Sequence, residues 1–480
     1  MSVAKNKIDL LVELFESWSG KKVIQVTALP ASGSYREYYR IKSDELSVLG
    51  VYNSDKREND AYLGFTDIFS SLKLNVPATY IADKQNDVYL IQDLGDTTLF
   101  ALLEELRVDG KFPQAIIPIY KKILSHLIQI QIVGAKRIDY SLCYPRAAFD
   151  HQSMMWDLNY FKYHFLKLGR IPFDEQKLED DFNRFIEYLL SEQHNYFLYR
   201  DFQSRNIMIV NDEPWFIDYQ GGRQGALQYD VASLLYDAKA DMPEAVRGEL
   251  LDFYVEELSK QITVDKEAFK KYYQGYALIR MLQAMGAYGF RGFFEKKEHF
   301  LRSIPFALDN LKELLPKLSF PLELNELNKT LNLVAQSKEL RALGVENDTL
   351  KITINSFSYK RGIPIDYSGN GGGFVFDCRA IHNPGRYEEY KTKTGKDRDV
   401  ITFFEHEVEM SAFLNDVYSL VSKSVVKYIK SGFINLSVSF GCTGGQHRSV
   451  YCAEMLAKYL SQNFKIDIVV NHIEQEMKHN

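Results

Sequence analysis

The stretch YRDFQSRNIMIVNDEPWFIDYQ, from Tyr199 to Gln220, decides the fold of the first part of this 480-residue chain. Two short β-rich runs flank Asn-Asp-Glu-Pro, which is turn chemistry, so the stretch predicts a β-hairpin. Antiparallel pairing would bring Asn206 close to Asp218, while Asp201 precedes the first strand in a loop. The sequence therefore predicts a cluster of side-chain oxygens of the kind that Mg²⁺ takes as ligands.

Phosphoryl transfer needs a carboxylate that accepts or orients the attacking hydroxyl, together with oxygen ligands that hold Mg²⁺ against nucleotide phosphates. Asn206 follows Asp201 at the spacing of a kinase catalytic loop, and Asp218 ends a strand, as a metal-binding aspartate does there. The alternative is that these acids only cap neighbouring backbone. The combined spacing, hairpin and order of elements favour the catalytic interpretation.

Composition excludes several classes of function. With 46% hydrophobic and 25% charged residues, the chain has the make-up of folded globular protein, and its length suggests two to four domains. The net charge of -6 argues against a nucleic-acid binder that is basic all over. Four irregularly spaced cysteines fit neither a disulfide framework nor a CxxC zinc site. Charges interrupt the first twenty residues and no apolar run nears the ~18 residues of a membrane span, so we expect a cytoplasmic protein with no membrane partner.

The pattern along the chain predicts two folded parts. Strand-like runs fill residues 22 to 95, and helical periodicity dominates from there to about residue 315, which indicates an α+β bilobal, protein-kinase-like domain. We predict this domain at residues 1–316, with an N-lobe at about 1–95 and a C-lobe at about 96–316. A connection at 317–349 and a compact α/β domain at 350–480 follow.

The motifs YRDFQSRNIMI, FIDYQ and QYDVASLLYD, with ASGSYREYYRI and LIQDLGDTTL near the start, resemble the aminoglycoside phosphotransferase-like kinases over residues 8–315. They resemble in particular the sugar kinases that phosphorylate N-acetylmuramate and N-acetylglucosamine at the anomeric carbon. The resemblance implies ATP as co-substrate, Mg²⁺ as cofactor and a small sugar as acceptor. It implies these roles: Asp201 as base, Asn206 and Asp218 as Mg²⁺ ligands, Asp230 as a structural acid, Ser32, Gly33 and Ser34 over the phosphates, and Gln92, Asp93 and Leu94 beside the adenine.

Two departures from that family stand in the sequence. Tyr199 replaces the usual histidine, whose role is to brace the loop, and an aromatic side chain that forms hydrogen bonds could do the same. The strand LSVLGVYN lacks the lysine that holds the α and β phosphates, and offers Lys56 just after it. Lys56 fits a nucleotide contact and a solvated turn lysine equally well. The missing lysine also keeps open a pseudokinase lobe in a non-catalytic adapter that binds RNA or protein.

A second constellation is GCTGGQHRS, Gly441 to Ser449, in which a strand enters a Gly-rich turn and opens a helix. Such a turn predicts an anion site, because free backbone N–H groups and the helix dipole converge there. A tight turn without a ligand is the plain alternative. A further alternative is a phosphatase, because Cys442 and Arg448 have the Cys-x5-Arg spacing of enzymes with a thiolate nucleophile.

The motifs FSYKRGIP, FVFDCRAIHNPGRY, TGKD and SFGCTGGQHRSVYCAEMLA resemble the RapZ C-terminal domain over about residues 350–475. That resemblance implies an amino-sugar phosphate as ligand, and it implies RNA as a further partner. The residues implied for the sugar phosphate are Arg379, Thr443, Gly444, Gly445, His447 and Arg448, with Asn383 and Arg386 near the same pocket. RNA binding is weakly supported, because residues 351–480 carry 16 Lys and Arg against 14 Asp and Glu. Both parts of the chain thus suggest phosphorylated amino sugars, which predicts a sugar kinase with a sugar-phosphate-binding domain.

Overall fold

The fold is taken from a computed structural model, which describes residues 6–30, 36–108, 110–295, 297–343, 350–364, 373–431 and 433–476. The strands are Gln25–Ala28 (β1), Glu37–Lys42 (β2), Ser47–Tyr52 (β3), Thr79–Asp83 (β4), Val88–Gln92 (β5), Tyr196–Leu198 (β6), Ile207–Val210 (β7), Glu213–Phe216 (β8), Arg223–Gly225 (β9), Lys351–Ser358 (β10), Gly373–Asp377 (β11), Asn435–Cys442 (β12) and Asp467–His472 (β13).

The α-helices are Lys7–Ser19 (α1), Lys56–Ser71 (α2), Leu99–Leu106 (α3), Ile117–Ile128 (α4), His151–Phe161 (α5), Glu175–Leu190 (α6), Gln228–Leu235 (α7), Glu244–Ser259 (α8), Lys266–Tyr288 (α9), Glu298–Leu301 (α10), Ile304–Leu314 (α11), Asn325–Gln336 (α12), Lys338–Ala342 (α13), Arg398–Glu405 (α14), Val408–Ser431 (α15), Arg448–Asn463 (α16) and Ile473–Glu476 (α17). These elements fall into two units, one comprising residues 1–287 with 303–340 and the other comprising 288–302 with 341–480.

The first unit begins with an antiparallel sheet in the order β1-β2-β3-β5-β4. Alternate side chains of its strands point to one face, where Ile41 and Leu90 pack on Leu11 and Phe15 of α1. Gly50 of β3 lies under this helix, because an added Cβ would sit 2.8 Å from the Ile41 side chain and 2.9 Å from Leu11. Helix α2 follows β3 directly, and its N-cap Asp55 accepts the N–H groups of Arg57 and Glu58.

The larger part of the first unit is helical and holds two small antiparallel sheets of two strands each, β6 with β9 and the hairpin of β7 with β8. Helix α4 packs against α8 in its core. Within the described residues, one helical run, Gln114–Lys136, is long and apolar enough to cross a membrane. Of its 18-residue apolar stretch, 56% is buried inside the protein. A sheet lobe followed by a helical lobe confirms the bilobal α+β prediction.

The predicted connection at 317–349 contains ordered helix. Helix α12 packs against α6 of the first unit, where the backbone N–H of Leu327 donates to Asp181 at 2.8 Å. The Glu326 carboxylate accepts the N–H of Asp174 in return, also at 2.8 Å. The chain divides after Leu340, inside the predicted connection, and the exact domain boundaries stay a prediction.

The second unit is built on a parallel sheet in the order β11-β12-β10-β13. Helices α15 and α16 pack together, and α16 lies on β10 and β12. The strand sequences are apolar on buried positions such as Ile352, Ile354, Val438 and Phe440, as expected for a covered parallel sheet. This unit confirms the predicted compact α/β domain. All four strands end at the same edge, where ligand sites of such sheets are found.

Candidate functional site

The β7–β8 hairpin brings together two of the predicted metal ligands. Ile207 pairs with Phe216, so the residues just outside the hairpin, Asn206 and Ile217, face each other, and the Ile217 N–H donates to the Asn206 carbonyl at 3.1 Å. The next residue, Asp218, accepts the Asn206 side-chain amide through Oδ2 at 3.1 Å. The proximity predicted from Asn-Asp-Glu-Pro turn chemistry is therefore present.

Asp201 lies at the entrance to the same hairpin. Its carbonyl accepts the Asn206 side-chain amide at 2.9 Å, so one asparagine bridges the loop of Asp201 and the carboxylate of Asp218. Burial, together with the nearby Asp201 carboxylate, raises the pKa of Asp218, while the amide of Gln220 and the charge of Arg36 oppose that rise. Asp218 also has a left-handed backbone with φ of 69°. These features concentrate negative charge and backbone strain at one point of the fold.

This donor set suits Mg²⁺ in a nucleotide complex. Mg²⁺ takes one or two carboxylates from protein and completes its shell with water and phosphate oxygens. Asp218 and Asn206 offer a carboxylate and an amide, and the negative charge of Asp218 and Asp201, which are both partly buried, is of the kind that a cation would stabilise. In the described residues no cluster of three or more His, Cys, Asp or Glu forms a self-sufficient metal site, so phosphate oxygens would have to complete the shell.

The loop that carries Asp201 is fixed by an acid and by an aromatic residue. Asp230, which is fully buried, accepts the backbone N–H groups of Tyr199 at 2.8 Å and Arg200 at 3.0 Å. Burial raises the pKa of Asp230 to about 7, against the effect of these donors. The Tyr199 hydroxyl donates to the Ile217 carbonyl at 2.6 Å, one residue before Asp218. Residues 217–220, which carry the predicted metal ligand Asp218, are here called the metal segment. Tyr199 and Asp230 thus hold the Asp201 loop and the metal segment against the same core.

Two further ion and hydrogen-bond pairs in this region escaped the sequence-based prediction. Arg200 has φ of 84° and forms a bidentate ion pair with Asp157 of α5 at 2.6 and 2.7 Å. Asp237 accepts both the N–H and the hydroxyl of Ser204, in the turn just before Asn206. Asp237 is the last residue of the motif QYDVASLLYD, so its sequence signal was present, whereas 43 residues separate Arg200 from Asp157.

The residues predicted to contact the adenine, Gln92 to Leu94, differ in their contacts and burial. Gln92 ends β5, and its side chain accepts the Ala78 N–H at 3.3 Å. Asp93 is held by Arg40 at 2.8 Å and by the Ser47 hydroxyl at 2.6 Å, so its carboxylate is already engaged. Leu94 follows it and is half-buried.

Lys56, the predicted substitute for the strand lysine, is the first residue of α2. Its side chain is 65% exposed, and its amine lies 3.8 Å from Asp87. The described contacts therefore do not bring Lys56 to the Asp218 cluster. Ser32, Gly33 and Ser34 lie outside the described residues.

In the second unit, the GCTGGQHRS turn lies at the carboxyl edge of the parallel sheet. Ser358 ends β10 and its hydroxyl donates to the Thr443 carbonyl at 2.7 Å, which joins the turns after β10 and β12. Thr443 and Gly444 are exposed, and an added Cβ at Gly444 would meet nothing within 4 Å. Gly445 is different, because its φ is 62° and an added Cβ would lie 3.0 Å from the Ser358 nitrogen. Of the five predicted anion-binding residues in this turn, Thr443 and Gly444 are thus exposed, and Gly444 faces open space.

His447 and Arg448 are buried and hold neighbouring loops. The Nε2 atom of His447 lies 2.8 Å from the Tyr390 carbonyl, and one guanidinium nitrogen of Arg448 donates to the carbonyls of Arg379 at 2.8 Å and Ile381 at 2.9 Å. Arg379 itself is half-exposed, pairs with Asp377 at 2.7 Å and lies over the Tyr359 ring. Of the predicted sugar-phosphate residues, the structure thus leaves Thr443, Gly444 and Arg379 accessible, and uses His447 and Arg448 as braces.

Residues 350–476 match the family model of the RapZ C-terminal domain. This match confirms the resemblance predicted from the motifs of the second unit. Similar curated proteins include a nucleotide-binding protein of Fervidobacterium nodosum, 37% identical over 127 residues, which is 26% of this chain and 43% of that protein. Another, from Endomicrobium trichonymphae, is 40% identical over 123 residues, which is 26% of this chain and 41% of that protein. The chain thus spans less than half the length of these two relatives.

Solved structures similar to this chain include kinases of small molecules. Choline kinase LicA from Streptococcus pneumoniae has 14% identity and a TM-score of 0.43, and covers 63% of this chain and 99% of its own. Aminoglycoside phosphotransferase APH(2'')-Ib, bound to ADP, has 12% identity and a TM-score of 0.41, and covers 70% of this chain and 99% of its own. Because sequence identity and structural similarity are both low, any argument for activity must come from the geometry of the site itself.

The geometry around Cys442 bears on the phosphatase alternative. Its sulfur is buried, accepts the Gly445 N–H at 3.1 Å and lies 3.2 Å from the Ser449 hydroxyl. The arginine that would hold a phosphate in such an enzyme, Arg448, points to carbonyl groups instead. A buried sulfur in a motif whose arginine donates to backbone carbonyls does not suit nucleophilic attack on phosphorus.

Proposed function

We propose that the first unit is an ATP-dependent kinase that phosphorylates a hydroxyl of a small amino sugar. The observation that carries the proposal is the meeting of Asp201, Asn206 and Asp218 around one loop and hairpin, with Asp230 and Tyr199 holding both segments. This is the arrangement that phosphoryl transfer requires, namely a base beside two oxygen ligands in a fixed geometry. An N-acetylhexosamine, phosphorylated at its anomeric hydroxyl, is the substrate class that the sequence motifs favour.

Each residue has a defined part in this reaction. Asp201 accepts the proton of the attacking sugar hydroxyl, the new bond forms between that oxygen and the γ-phosphorus, and the bond to the β–γ bridging oxygen breaks to release ADP. Asn206 and Asp218 would hold Mg²⁺, which neutralises charge on the phosphates. Asp230 and Tyr199 keep the loop and the metal segment in register, so that the two groups meet the substrate without rearrangement.

For the second unit we propose a sugar-phosphate site at the exposed turn of Thr443 and Gly444, with Arg379 as an accessible cation of the predicted set. Support comes from its place at the carboxyl edge of a parallel sheet and at the start of α16. The ligand would act as a regulator of the kinase or as its bound product, in the cytoplasm. RNA at this unit is the weaker alternative.

The test is a panel of amino sugars incubated with the full chain, ATP and Mg²⁺, followed by ³¹P NMR of the products. A new phosphate resonance with one sugar, together with release of ADP, supports the proposal and identifies the phosphorylated position. Binding of Mg·ATP with no product from any sugar would instead favour the non-catalytic adapter. Addition of glucosamine 6-phosphate to the active mixture tests regulation, which is overturned if neither the rate nor the ATP affinity changes.

A further inference from the structure

Arg36 is a buried cation close to the proposed metal site. It directly precedes β2, and its side chain is 1% exposed. Its guanidinium lies 3.4 Å from the Glu58 carboxylate and sits over the ring of Tyr62, at 5.3 Å from the centroid. A charge buried to this degree is retained in proteins when it has a specific counter-charge. Arg36 therefore lies inside the sheet lobe in a fixed position.

Glu58 connects this arginine to the rest of the site. It belongs to the first turn of α2 and accepts the side-chain amide of Asn53, at the exit of β3, at 2.8 Å. Its other oxygen, which faces Arg36, accepts the side-chain amide of Gln220 at 3.2 Å. The Glu58 carboxylate thus joins Arg36, just before β2, and Asn53, just after β3, to Gln220 in the segment that follows the β7–β8 hairpin.

Gln220 completes the path to the proposed metal ligand. The nitrogen that donates to Glu58 also donates to Oδ1 of Asp218 at 2.6 Å. The residue between them, Tyr219, stacks on Tyr62 of α2 with ring centroids 5.2 Å apart, and its hydroxyl lies 2.5 Å from that of Thr66. Helix α2 therefore contacts the metal segment in two ways, through the hydrogen bond from Gln220 to Glu58 and through the stacking of Tyr219 on Tyr62.

We propose that Arg36, Glu58 and Gln220 form a relay that positions Asp218 for Mg·ATP. All three are positioning residues, since they act through Asp218, and the inference rests on the proposed kinase function. Without the positive charge of Arg36, Glu58 would be an uncompensated carboxylate close to Asp218, and the shared amide of Gln220 would lose its fixed orientation. Lys56, exposed and beside Asp87, is not part of this chain of contacts.

The experiment measures binding of a fluorescent ATP analogue to the full chain as Mg²⁺ is varied. It compares the parent with Arg36→Met and Gln220→Met, with Arg36→Lys as the conservative variant and Lys84→Met, at an exposed lysine of the same lobe that pairs with Asp60, as the matched control. We expect both methionine variants to raise the Mg²⁺ concentration for half-maximal binding by roughly 10–100-fold, as is typical when a partner of a metal ligand is removed. Arg36→Lys should recover part of that loss, and Lys84→Met should behave like the parent.

The outcomes separate this inference from the proposed function. If Gln220→Met binds at the parent's Mg²⁺ concentration, or if Lys84→Met shows the same shift as Arg36→Met, the relay is overturned and the kinase proposal stands. A parent that binds Mg·ATP normally but phosphorylates no sugar overturns the kinase proposal, while the Mg²⁺ dependence still reports on the relay. Thermal unfolding of each variant identifies a folding defect. If Arg36→Met does not fold, Gln220→Met, at the other end of the relay, decides the question.

Discussion

The loop and hairpin of the first unit and the Gly-rich turn of the second use their polar side chains in opposite ways. Around Asp201 and Asp218, the two acids proposed for chemistry are held mainly by other residues, such as Asp230 and Tyr199, and Asn206 alone is both a proposed ligand and a brace. In the turn after β12, two side chains with the chemistry of anion ligands, His447 and Arg448, are themselves the braces. A polar motif therefore identifies a place in the fold more securely than it identifies which of its side chains meets a ligand.

The largest effect that this comparison predicts is at Asp201. Asp201→Asn keeps the size of the side chain and the Asn206 contact, which goes to a backbone carbonyl, but removes the proton acceptor. We expect the rate of sugar phosphorylation to fall by about 10²–10⁴-fold. Binding of Mg·ATP should be retained. ADP release with the sugar identified by ³¹P NMR measures the rate.

Asp212→Asn is the matched control for this change, because Asp212 lies exposed in the turn of the same hairpin. It should leave the rate unchanged. An Asp201→Asn protein that works at the parent rate would remove the distinction between reacting groups and braces in the first unit.

In the second unit, Arg448→Met should act on stability. The change leaves the buried carbonyls of Arg379 and Ile381 without their charged donor, and we expect a loss of about 2–4 kcal/mol in the free energy of unfolding. Hydrogen exchange of peptides from β12 and α16 in the full chain reports this unit separately. Arg379→Met, at a half-exposed ion pair, should cost less than about 1 kcal/mol.

If Arg448→Met instead weakens binding of glucosamine 6-phosphate with no loss of protection in α16, Arg448 is a ligand and the contrast between the two regions fails. Both regions would then use their charged side chains to bind phosphate, as the sequence-based prediction has it.

Two adjacent glycines in the turn after β12, Gly444 and Gly445, should differ in their effect on stability, and the expected loss is smaller than for Arg448→Met. Gly445→Ala forces a left-handed backbone on a residue with a side chain and brings its Cβ against Ser358, so we expect a loss of about 1–3 kcal/mol. Gly444→Ala meets open space and should leave stability unchanged. Urea unfolding of the full chain, followed with the same peptides, compares the two. Equal effects would mean that the open space at Gly444 is needed for folding and is no indication of a ligand.

The sequence was informative where the contacts are local. Asn206 and Asp218 are twelve residues apart on one hairpin, so turn chemistry sufficed to predict their meeting. Glu58, the partner of Arg36, lies on α2, and Gln220, which donates to Glu58, follows the hairpin, and an ion pair of this kind leaves no periodic pattern in the chain. The orientation of Arg448 was not predictable either, since Cys-x5-Arg spacing is the same whether the guanidinium turns into the loop or toward carbonyls outside it.

The smallest predicted effect concerns Tyr199, the residue that departs from the usual histidine. Tyr199→Phe keeps the packing against Phe202 but removes the hydrogen bond to the Ile217 carbonyl, so that a buried acceptor loses its partner. We expect a loss of about 1 kcal/mol in stability and a fall in rate of less than ~10-fold, because Asp230 still holds the loop through backbone N–H groups. Thermal unfolding and ADP release measure the two effects. A loss of rate as large as that of Asp201→Asn, at parent stability, would show that the Tyr199 hydroxyl takes part in the reaction, and the separation of braces from reacting groups would end at this residue.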